Sequence, residues 1–564
     1  MTFLYTRHNL SKSEWRVERF LEILPAAFSW GLLSSLVLLC IFAPVAGVVI
    51  IILVDIYWLF RLFYLTFFLI LSYWLLEAER TADWLERLQD LGNLDGAIER
   101  TARKMRDSWR TGVGKGTFGA PLAQVKIYSS EKRHLKSLQL LRRQTHPFPD
   151  PQEIFHLVII PFYQEGGVVL RPTLAALARV RYPLERIVVV LGVEARAGEE
   201  ASELAERLKK KYEKPFLHFE ACVHPDNIPG EAAVKGANAT YAAKWARRFF
   251  ETRQVPLEHI LVSCFDSDTV VSPDYFACLT YNYLVHPNRT RASFQPIPVF
   301  HNNLWDAPPF ARVLETGSSF FQLIECTDPE TLVTFSSHSM SFQALVEIDY
   351  WPIDIISDDS AIFWKAFLAF DGNYQVCPLY VTLSMDVVVG KNLWETCLLI
   401  YRQKRRWAWG VENFPLLVRG FLSNPRIPIV FKIKRAFRLL EMNISWAVWT
   451  PITLILSWMP AFVATHEFAS SVAHFNSPRI SGVIGNLALA TLVISIVLSL
   501  SLLPKNPTKK VPVFEKITFT LQWLLIPFIA ILFGSLPALD AQTRLALGKY
   551  MEFFVTPKGR EREG

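Results

Sequence analysis

The stretch FHLVIIPFYQEGG, residues 155–167, begins with an apolar run that is broken at Pro161 and ends in polar residues and two glycines. A helical pattern follows from Val168 to Arg179, and a second apolar run, RIVVVLGVE, occupies residues 186–194. Strands that alternate with helices of this length form βαβ units, in which the strands are parallel. The stretch therefore predicts the start of an α/β domain.

The same alternation continues as far as residue 268. Two more apolar runs, LHFEACV at residues 217–223 and HILVSCFDSD at residues 259–268, are separated by a helical pattern. The four runs predict a Rossmann-like domain with a mostly parallel sheet, and ligands bind such sheets at the carboxyl ends of the strands. The polar residues at those ends are Tyr163, Gln164, Glu165, Glu194, Asp266 and Asp268.

Apolar residues are concentrated in blocks on both sides of this domain. From Ile23 to Leu76 the formally charged residues are Asp55 and Arg61, and the run is long enough for two membrane-spanning helices of about 20 residues each. The turn between them falls either at residues 44–47 or near Asp55. A signal peptide is disfavoured because its apolar region has only about 7 to 15 residues.

Three further candidate spans lie near residues 442–465, 481–503 and 517–539, which makes five. Basic residues precede the first hairpin and fill the loop before the last span, so the positive-inside rule places the α/β domain in the cytosol of a multi-pass plasma-membrane protein. Five spans put the C-terminal tail outside, whereas its Lys and Arg content favours the cytosol and hence a further or re-entrant segment. The basic residues are Arg7, Lys12, Arg16, Arg19, Lys505, Lys509, Lys510 and Lys516.

Cysteine content and charge indicate the same compartment. The chain has seven cysteines, an odd number, without a CxxC pair, so neither a disulfide framework nor a zinc site is predicted. The formal net charge of +7 is explained by the basic flanks of the spans, which attract anionic lipid headgroups. No nucleic-acid partner is predicted.

Three short motifs carry candidate chemistry, and each also has a structural interpretation. Asp266 and Asp268 could share a divalent cation with a diphosphate, or belong to a solvated turn. Asp358 and Asp359 could supply a catalytic base, or cap the helix that follows. QKRRW, residues 403–407, could bind phosphate, or form a basic interfacial helix.

In this order, the motifs resemble those of the family 2 glycosyltransferases, in particular the membrane-integrated processive branch of cellulose, chitin and hyaluronan synthases. That family has D-x-D, T-E-D and Q-x-x-R-W motifs in a cytosolic GT-A domain between membrane helices. The matching residues here are Asp266 and Asp268, Ser357-Asp358-Asp359, and Gln403, Arg406 and Trp407. Lys235-Gly236-Ala237-Asn238 resembles the family's K-A-x-N segment, and Tyr163-Gln164-Glu165 its Y-N-E.

Two departures from the family pattern stand out. Glu194 occupies the place of the aspartate that usually binds the nucleotide base. FSSHSMSF, residues 335–342, replaces a glycine-rich stretch near the acceptor and introduces His338. These departures leave the sugar and the acceptor open.

The resemblance implies an α/β GT-A domain and an inverting hexosyltransferase. It would move a sugar from a nucleotide diphosphosugar, in this family a UDP-sugar, to a growing polysaccharide and help to pass it across the membrane. Mg²⁺ or Mn²⁺ would be held by Asp266 and Asp268, and Asp359 would be the catalytic base. Nucleotide-sugar binding would involve Tyr163, Glu165, Glu194, Lys235, Asp266, Gln403 and Arg406, and acceptor binding Trp407, Asp358 and His338. Lys404 and Arg405 are expected to face lipid headgroups.

Alternatives remain for both activity and assembly. One is transfer of a single sugar to a lipid carrier or glycolipid, and another is a non-catalytic scaffold or transporter that only binds nucleotide or sugar. The expected partners are the donor, a carbohydrate or lipid-linked acceptor and membrane lipids, and an oligomer or export partner is compatible with them. The predicted divisions are a cytosolic N-terminus (1–22), a membrane hairpin (23–76), a helical linker (77–150), the GT-A domain (151–385), interfacial helices (386–440), three spans (441–540) and a tail (541–564).

Overall fold

The computed structural model describes residues 5–7, 10–114, 120–143, 148–462, 466–504 and 513–552, and within them the chain forms two compact units. The first unit is drawn from Met1–Ile70, Asn303–Ser318 and Val387–Gly559, and the second from Leu71–Asn302 and Ser319–Asp386. Each unit is described below by itself.

Helices and strands alternate through the second unit, whereas the first unit is helical. The strands are β1 (Phe155–Phe162), β2 (Ile187–Glu194), β3 (His218–His224), β4 (Ile260–Cys264), β5 (Val270–Val271), β6 (Ala292–Val299), β7 (Ser339–Ser341) and β8 (Gln375–Ser384). The α-helices are α1 (Lys12–Phe42), α2 (Pro44–Glu79), α3 (Trp84–Asp90), α4 (Leu94–Gly114), α5 (Ala120–Arg143), α6 (Gly167–Leu177), α7 (Glu199–Tyr212), α8 (Lys235–Glu251), α9 (Tyr275–Val285), α10 (Pro309–Glu325), α11 (Phe342–Glu347), α12 (Asp358–Ala369), α13 (Leu393–Ala408), α14 (Asn413–Ser423), α15 (Ile429–Leu454), α16 (Met459–Phe462), α17 (His466–Ala469), α18 (Val472–Leu502), α19 (Val513–Leu521), α20 (Ile526–Ile529) and α21 (Leu536–Ala546).

One eight-stranded sheet forms the core of the second unit, in the order β3-β2-β1-β4-β7-β6-β8-β5. The strands β3, β2, β1 and β4 are parallel neighbours, as are β6 and β8, while β7 and β5 pair antiparallel. Every residue of β2 and β4 is buried, which explains why these strands are continuous apolar runs. The predicted α/β class with a mostly parallel sheet is confirmed.

Helix α8 lies unusually close to strand β2. The side-chain amide of Asn238 donates to the carbonyl of Gly192 at 2.9 Å, and a Cβ atom at Gly192 would lie 2.3 Å from Asn238 Oδ1. Only glycine fits at this point of the strand, because any side chain would collide with the helix. This contact sets the distance between the start of α8 and the sheet.

Five helices in the described part of the chain are long and apolar enough to cross a membrane, and they lie toward both ends as predicted. They are Lys12–Phe42, Pro44–Glu79, Ile429–Trp458, His474–Leu502 and Lys516–Ala546. The break in the first hairpin lies between Phe42 and Pro44, so Asp55 belongs to α2 and not to the turn. Lys505, Lys509, Lys510 and residues 553–564 of the tail lie outside the described residues.

Candidate active site

Lys235, the first residue of α8, links two of the predicted site carboxylates. Its Nζ lies 2.7 Å from Asp266 Oδ1 and 3.0 Å from Asp359 Oδ1. Burial alone would lower the pKa of Lys235, but Asp266 and Asp359 outweigh it and hold this pKa well above its ordinary value. The side chain of Lys235 is 10% exposed and those of the two aspartates about a quarter, so a fixed positive charge stands between two accessible acids.

Gly236 explains how this arrangement forms. A Cβ atom at this position would lie 2.4 Å from the carbonyl oxygen of Pro352 and 3.3 Å from Cβ of Asp358. Without a side chain, the start of α8 can approach the start of α12, where Asp358 and Asp359 are the first two residues. Asp358 is buried and Asp359 is partly exposed. Two helix N-termini, each with a partial positive charge, therefore converge at the acids.

Asp266 is also held by the serines that precede β7. The hydroxyl of Ser336 donates to Asp266 Oδ2 at 2.5 Å, and the backbone N–H of Asp266 donates to Ser337 Oγ at 3.2 Å. Ser337 has a φ of 61°, in the left-handed region that few residues other than glycine adopt. The serine stretch at residues 335–342 therefore contains a left-handed turn and makes hydroxyl contacts with Asp266.

Asp268 has different surroundings from Asp266, although the two are only two residues apart. It is fully buried, and its Oδ2 accepts the backbone N–H of Asp386 at 2.9 Å. The side-chain amide of Asn302 donates to the carbonyl of Asp268 and to Oδ1 of Asp386, each at 2.8 Å. The structure thus brings Asp266 together with Lys235 and Asp359, and places Asp268 beside Asp386.

The groups around Asp266 suit a hard divalent cation. No group of three or more His, Cys, Asp or Glu side chains within the described residues is arranged to hold a metal by itself. However, Mg²⁺ is usually held by one or two carboxylates together with substrate phosphates, so it does not need such a protein cage. The partly exposed oxygens of Asp266 fit this role, with Asp268 fixed behind it.

His338 is buried close to Asp359. Its Nδ1 donates to the carbonyl of Phe335 at 3.0 Å and lies 4.0 Å from Asp359 Oδ1. The ring is 1% exposed, and burial lowers the pKa of His338 more than the nearby Asp359 raises it. The hydroxyl of Thr334 donates to the backbone carbonyl of Asp359 at 2.6 Å, which helps to fix the backbone of this acid.

The motif after β1 connects to the same loop. Glu165 accepts the backbone N–H of Tyr163 at 2.7 Å and the hydroxyl of Ser267 at 3.1 Å. Ser267 stands between Asp266 and Asp268, so Glu165 ties the end of β1 to the loop that follows β4. Tyr163 and Glu165 therefore lie beside the loop that carries Asp266 and Asp268, and Glu165 braces this loop against the end of β1.

Glu194 lies at the end of β2 in a separate buried cluster. It accepts from His224 and from Arg196, each at 3.3 Å, and His224 also contacts Glu231 at 2.8 Å. Burial alone would lower the pKa of His224, but the two glutamates outweigh it and raise this pKa. The guanidinium of Arg196 lies 4.9 Å from the ring centroid of Tyr163, which links this cluster to the end of β1.

Neither a protein-family model nor a curated protein sequence matches this chain. The chain is similar to a mannosyltransferase of known structure. That protein is PcManGT from Pyrobaculum calidifontis, in complex with GDP-Man and Mn²⁺. The sequence identity is 15%, and the TM-score is 0.34. The match covers 70% of this chain and 94% of that chain. Residues 1–349 of TarS from S. aureus, in complex with UDP-GlcNAc, match at 13% identity over 60% of this chain and 91% of that chain, with a TM-score of 0.29. Both likenesses are distant, with identities of 15% and 13%.

Gln403, Arg406 and Trp407 lie on α13, in the first unit, and are described within it. Gln403 is buried, and the other two are half-buried. The expectation that Lys404 and Arg405 face lipid headgroups is wrong: Lys404 is 2% exposed and binds Glu315 at 2.9 Å, and Arg405 binds Asp540 at 2.8 Å. The Nζ atom of Lys404 also lies 3.5 Å from the ring centroid of Trp407.

Several residues of the site were not predicted as such. The sequence does contain a signal for Ser336 and Ser337. They lie in residues 335–342, which differ from the glycine-rich stretch of the glycosyltransferases that the chain resembles. The sequence contains no such signal for Asn302 and Asp386, because each is a single polar residue after an apolar run. In the separate cluster around Glu194, His224 and Glu231 were equally hidden, because nothing in the sequence indicates that they meet Glu194.

Proposed function

We propose that the protein is an inverting glycosyltransferase that moves a sugar from a nucleotide diphosphosugar, a UDP-sugar by family resemblance, to a growing polysaccharide. The observation that carries this proposal is the bridge of Lys235 between Asp266 and Asp359. It brings the candidate base and the candidate diphosphate-side acid to one buried ammonium group. A module that only bound sugar or nucleotide would have no need of this base.

In this reaction the bond between the anomeric carbon and the diphosphate breaks while a bond to the acceptor oxygen forms. The acceptor hydroxyl must lose its proton, and Asp359 is the general base that takes it. Lys235 holds Oδ1 of Asp359, so we assign the proton to Oδ2. The positive charge of Lys235 and the N-termini of α8 and α12 favour the anionic groups that gather here. A single in-line displacement inverts the anomeric centre.

The leaving diphosphate gains negative charge, which a divalent cation would neutralise when it is bound. Asp266 and Asp268 would hold Mg²⁺ or Mn²⁺ together with the phosphates, and the buried Asp268 would also keep the loop in place. By resemblance, Gln403 and Arg406 would donate to the diphosphate, for which a planar guanidinium is well suited. Trp407, Asp358 and His338 would serve the acceptor side, and Tyr163, Glu165 and Glu194 the nucleotide side.

The five apolar helices add a membrane location to the proposal. We infer a multi-pass protein of the plasma membrane with its catalytic domain, residues 151–385, on the cytosolic side, where nucleotide sugars are made. The growing product would pass outward along the membrane helices. The domain boundaries predicted from the sequence belong to this proposal.

The test is release of nucleoside diphosphate by the purified full-length protein from a panel of nucleotide sugars, with Mg²⁺ or Mn²⁺. We expect metal-dependent release from one donor and none from Asp359→Asn, which keeps the shape of the side chain but loses the base. Donor binding, measured by titration calorimetry, should be largely retained in Asp359→Asn.

Asp274→Asn is the matched control, because Asp274 has the same 25% side-chain exposure as Asp359 and also contacts a cation, Arg181. Its turnover should equal that of the wild type. Full turnover in Asp359→Asn would remove this residue from the mechanism. Absence of both release and donor binding in the wild type would favour a non-catalytic scaffold.

A further inference from the structure

Asp55 is a carboxylate inside one of the candidate membrane helices. It lies 11 residues after the start of α2 at Pro44, which is about 16 Å along the helix. With the N-terminal end of α2 at the membrane surface, a hydrocarbon layer of about 30 Å would place Asp55 close to its middle. The side chain is 6% exposed, so it is enclosed by other helices of the first unit. Ionisable residues at this depth are costly, and they commonly mark pathways or binding sites.

Two other helical segments supply the oxygens that face Asp55. Oγ of Ser457 lies 3.3 and 3.4 Å from the two carboxylate oxygens, and Oγ of Ser481 lies 3.3 Å from Oδ2. Hydroxyl-to-oxygen hydrogen bonds are usually near 2.7 to 2.8 Å, so these contacts are long. Among the described residues, these hydroxyls are the hydrogen-bonding partners of Asp55. They provide oxygen atoms and no positive charge.

The Ser457 hydroxyl has a closer acceptor than Asp55. It lies 3.0 Å from the carbonyl oxygen of Ile452. A hydroxyl has one proton to donate, and donation to Ile452 turns the oxygen lone pairs of Ser457 toward the carboxylate. Two groups of electron-rich oxygens would then face each other at membrane depth, an arrangement that a cation between them stabilises.

The helix that carries Ser457 is also interrupted at this point. Helix α15 ends at Leu454, a short 3-10 turn covers Leu456–Trp458, and α16 starts at Met459. Backbone that leaves the α-helical pattern within a membrane is tolerated where it lines a cavity, and carbonyls released in this way coordinate Na⁺ or H⁺ sites in transporters. The break therefore points independently to a ligand at the same place.

A cavity opens beside the three oxygen-bearing residues. It is lined by Ser457 and Ser481 together with Trp458, Phe468, His474 and Pro478. His474 is the titratable residue among them, and the nearby Arg479 of α18 lies 4.0 Å from the ring centroid of Phe475. The other charged residue within the first hairpin, Arg61, is already neutralised by Glu441 at 2.9 Å. Of the two charges in this hairpin, Asp55 is the one left without an ionic partner among the described residues.

We propose that Asp55, Ser457 and Ser481 form a binding site for one small monovalent cation, Na⁺ or a proton, between three membrane helices. The inference rests on the membrane insertion of these helices, but not on sugar transfer. Binding would neutralise the carboxylate and hold α2, the interrupted end of α15 and α18 together. The site therefore belongs to the membrane part of the protein and is separate from the proposed catalytic residues.

The experiment measures the thermal stability of the purified full-length protein in detergent, with NaCl, KCl or choline chloride at constant ionic strength. A ligand that binds only the folded state raises the Tm in a saturable manner. We expect a Na⁺-specific rise in the wild type, confirmed by binding of radioactive sodium, and no such rise in Asp55→Asn. Glu441→Gln, which removes a carboxylate outside the site, should keep the response of the wild type.

If the bound cation is a proton, NaCl, KCl and choline chloride will change the Tm equally, and the Tm will depend on the pH. A folded state that holds a proton released on unfolding loses stability as the pH rises, so the Tm of the wild type should fall with pH. The fall should be reduced in Asp55→Asn and kept in His474→Gln, which distinguishes the carboxylate from the imidazole. Equal salt and pH responses in the wild type and Asp55→Asn would overturn the proposal.

Ser481→Ala covers the case in which Asp55→Asn fails to fold. This variant keeps the carboxylate but removes one oxygen, so Na⁺ should half-saturate at a several-fold higher concentration, or the pH midpoint should shift. If neither the Na⁺ concentration for half-saturation nor the pH midpoint changes in Ser481→Ala, the proposed cation site is contradicted. Nucleoside diphosphate release from the same preparations shows separately whether the proposed transfer activity stands, so the two proposals can fail independently.

Discussion

One ammonium group faces both acids of the candidate active site. Lys235 faces Asp266 and Asp359, and neither acid is fully enclosed. Because the pKa of Lys235 is raised well above its ordinary value, the residue stays charged throughout the range in which an enzyme works. It therefore acts as a permanent counter-ion, and proton transfer is left to Asp359.

Replacing Lys235 with Met should destabilise the protein and abolish most of the transfer. Removal of one partner from a buried ion pair costs about 3 kcal/mol or more, since the remaining charges lose their compensation. Lys235→Arg keeps the charge and should recover part of the stability. Urea unfolding measures the stability, and nucleoside diphosphate release measures the transfer.

The pH dependence of this effect has a definite sign. A lysine whose pKa is raised in the folded state stabilises it fully at every pH below its unfolded pKa of about 10.4, and the benefit is lost as the pH rises further. The stability difference between the wild type and Lys235→Met should therefore be constant from about pH 6 to pH 9. A difference that shrinks within this range would show that Lys235 titrates there and is not a permanent charge.

At the scale of elements, the site depends on how closely α8 can approach α12. Gly236→Ala would place a Cβ atom 2.4 Å from the Pro352 carbonyl, so α8 must shift and carry Lys235 with it. We expect a loss of about 1 to 3 kcal/mol, as for other overpacked sites, together with reduced turnover.

Gly317→Ala provides the control for this element. Gly317 lies within α10, and a Cβ atom there would meet nothing within 4 Å. Alanine favours a helix by about 1 kcal/mol over glycine, so this change should be neutral or stabilising, with normal turnover. Equal effects of the two changes would mean that the contact between α8 and α12 is not critical.

Helix α13 is held to α10 by the buried pair of Lys404 and Glu315. Both side chains are at most 3% exposed, and burial lowers the pKa of Lys404 more than Glu315 raises it. Lys404→Met should cost about 3 kcal/mol or more, because Glu315 would be left buried with its charge. The double variant Lys404→Met/Glu315→Leu should cost less than the sum of the two single changes, measured as a double-mutant cycle in urea. Strict additivity would indicate that the pair does not interact.

Local patterns predicted the framework of the second unit, but not its finer contacts. The four apolar runs became β1 to β4, and Asp358 and Asp359 do begin a helix. The two-residue β5 and three-residue β7 are too short to show a period. The burial of Lys404 could not be predicted either, because Glu315 lies 89 residues away in the sequence and nothing local distinguishes this lysine from a surface one.

At the scale of the whole molecule, the length of the product distinguishes the proposed synthase from its alternative. With the donor identified, we expect radioactive sugar to enter a long polymer, which gel filtration separates from a single-sugar glycolipid. Trp407→Ala should shorten the product more than it slows nucleoside diphosphate release, because a stacking residue serves chain retention. A product of one sugar on a lipid, from the wild type, would favour transfer to a lipid carrier.

Helix α1 depends on α21, near the other end of the described residues. Ser29 donates to Gln542 at 2.7 Å, and Trp30 to Thr543 at 2.9 Å, each pair separated by 513 residues. Ribosomes add about 5 to 20 residues per second, so α1 must wait roughly half a minute to two minutes for these partners to be synthesised. During that interval the hydroxyl of Ser29 lacks its hydrogen bond to Gln542. A nascent chain that stalls before residue 542 would thus expose a polar face in its first helix, which cellular quality control could recognise.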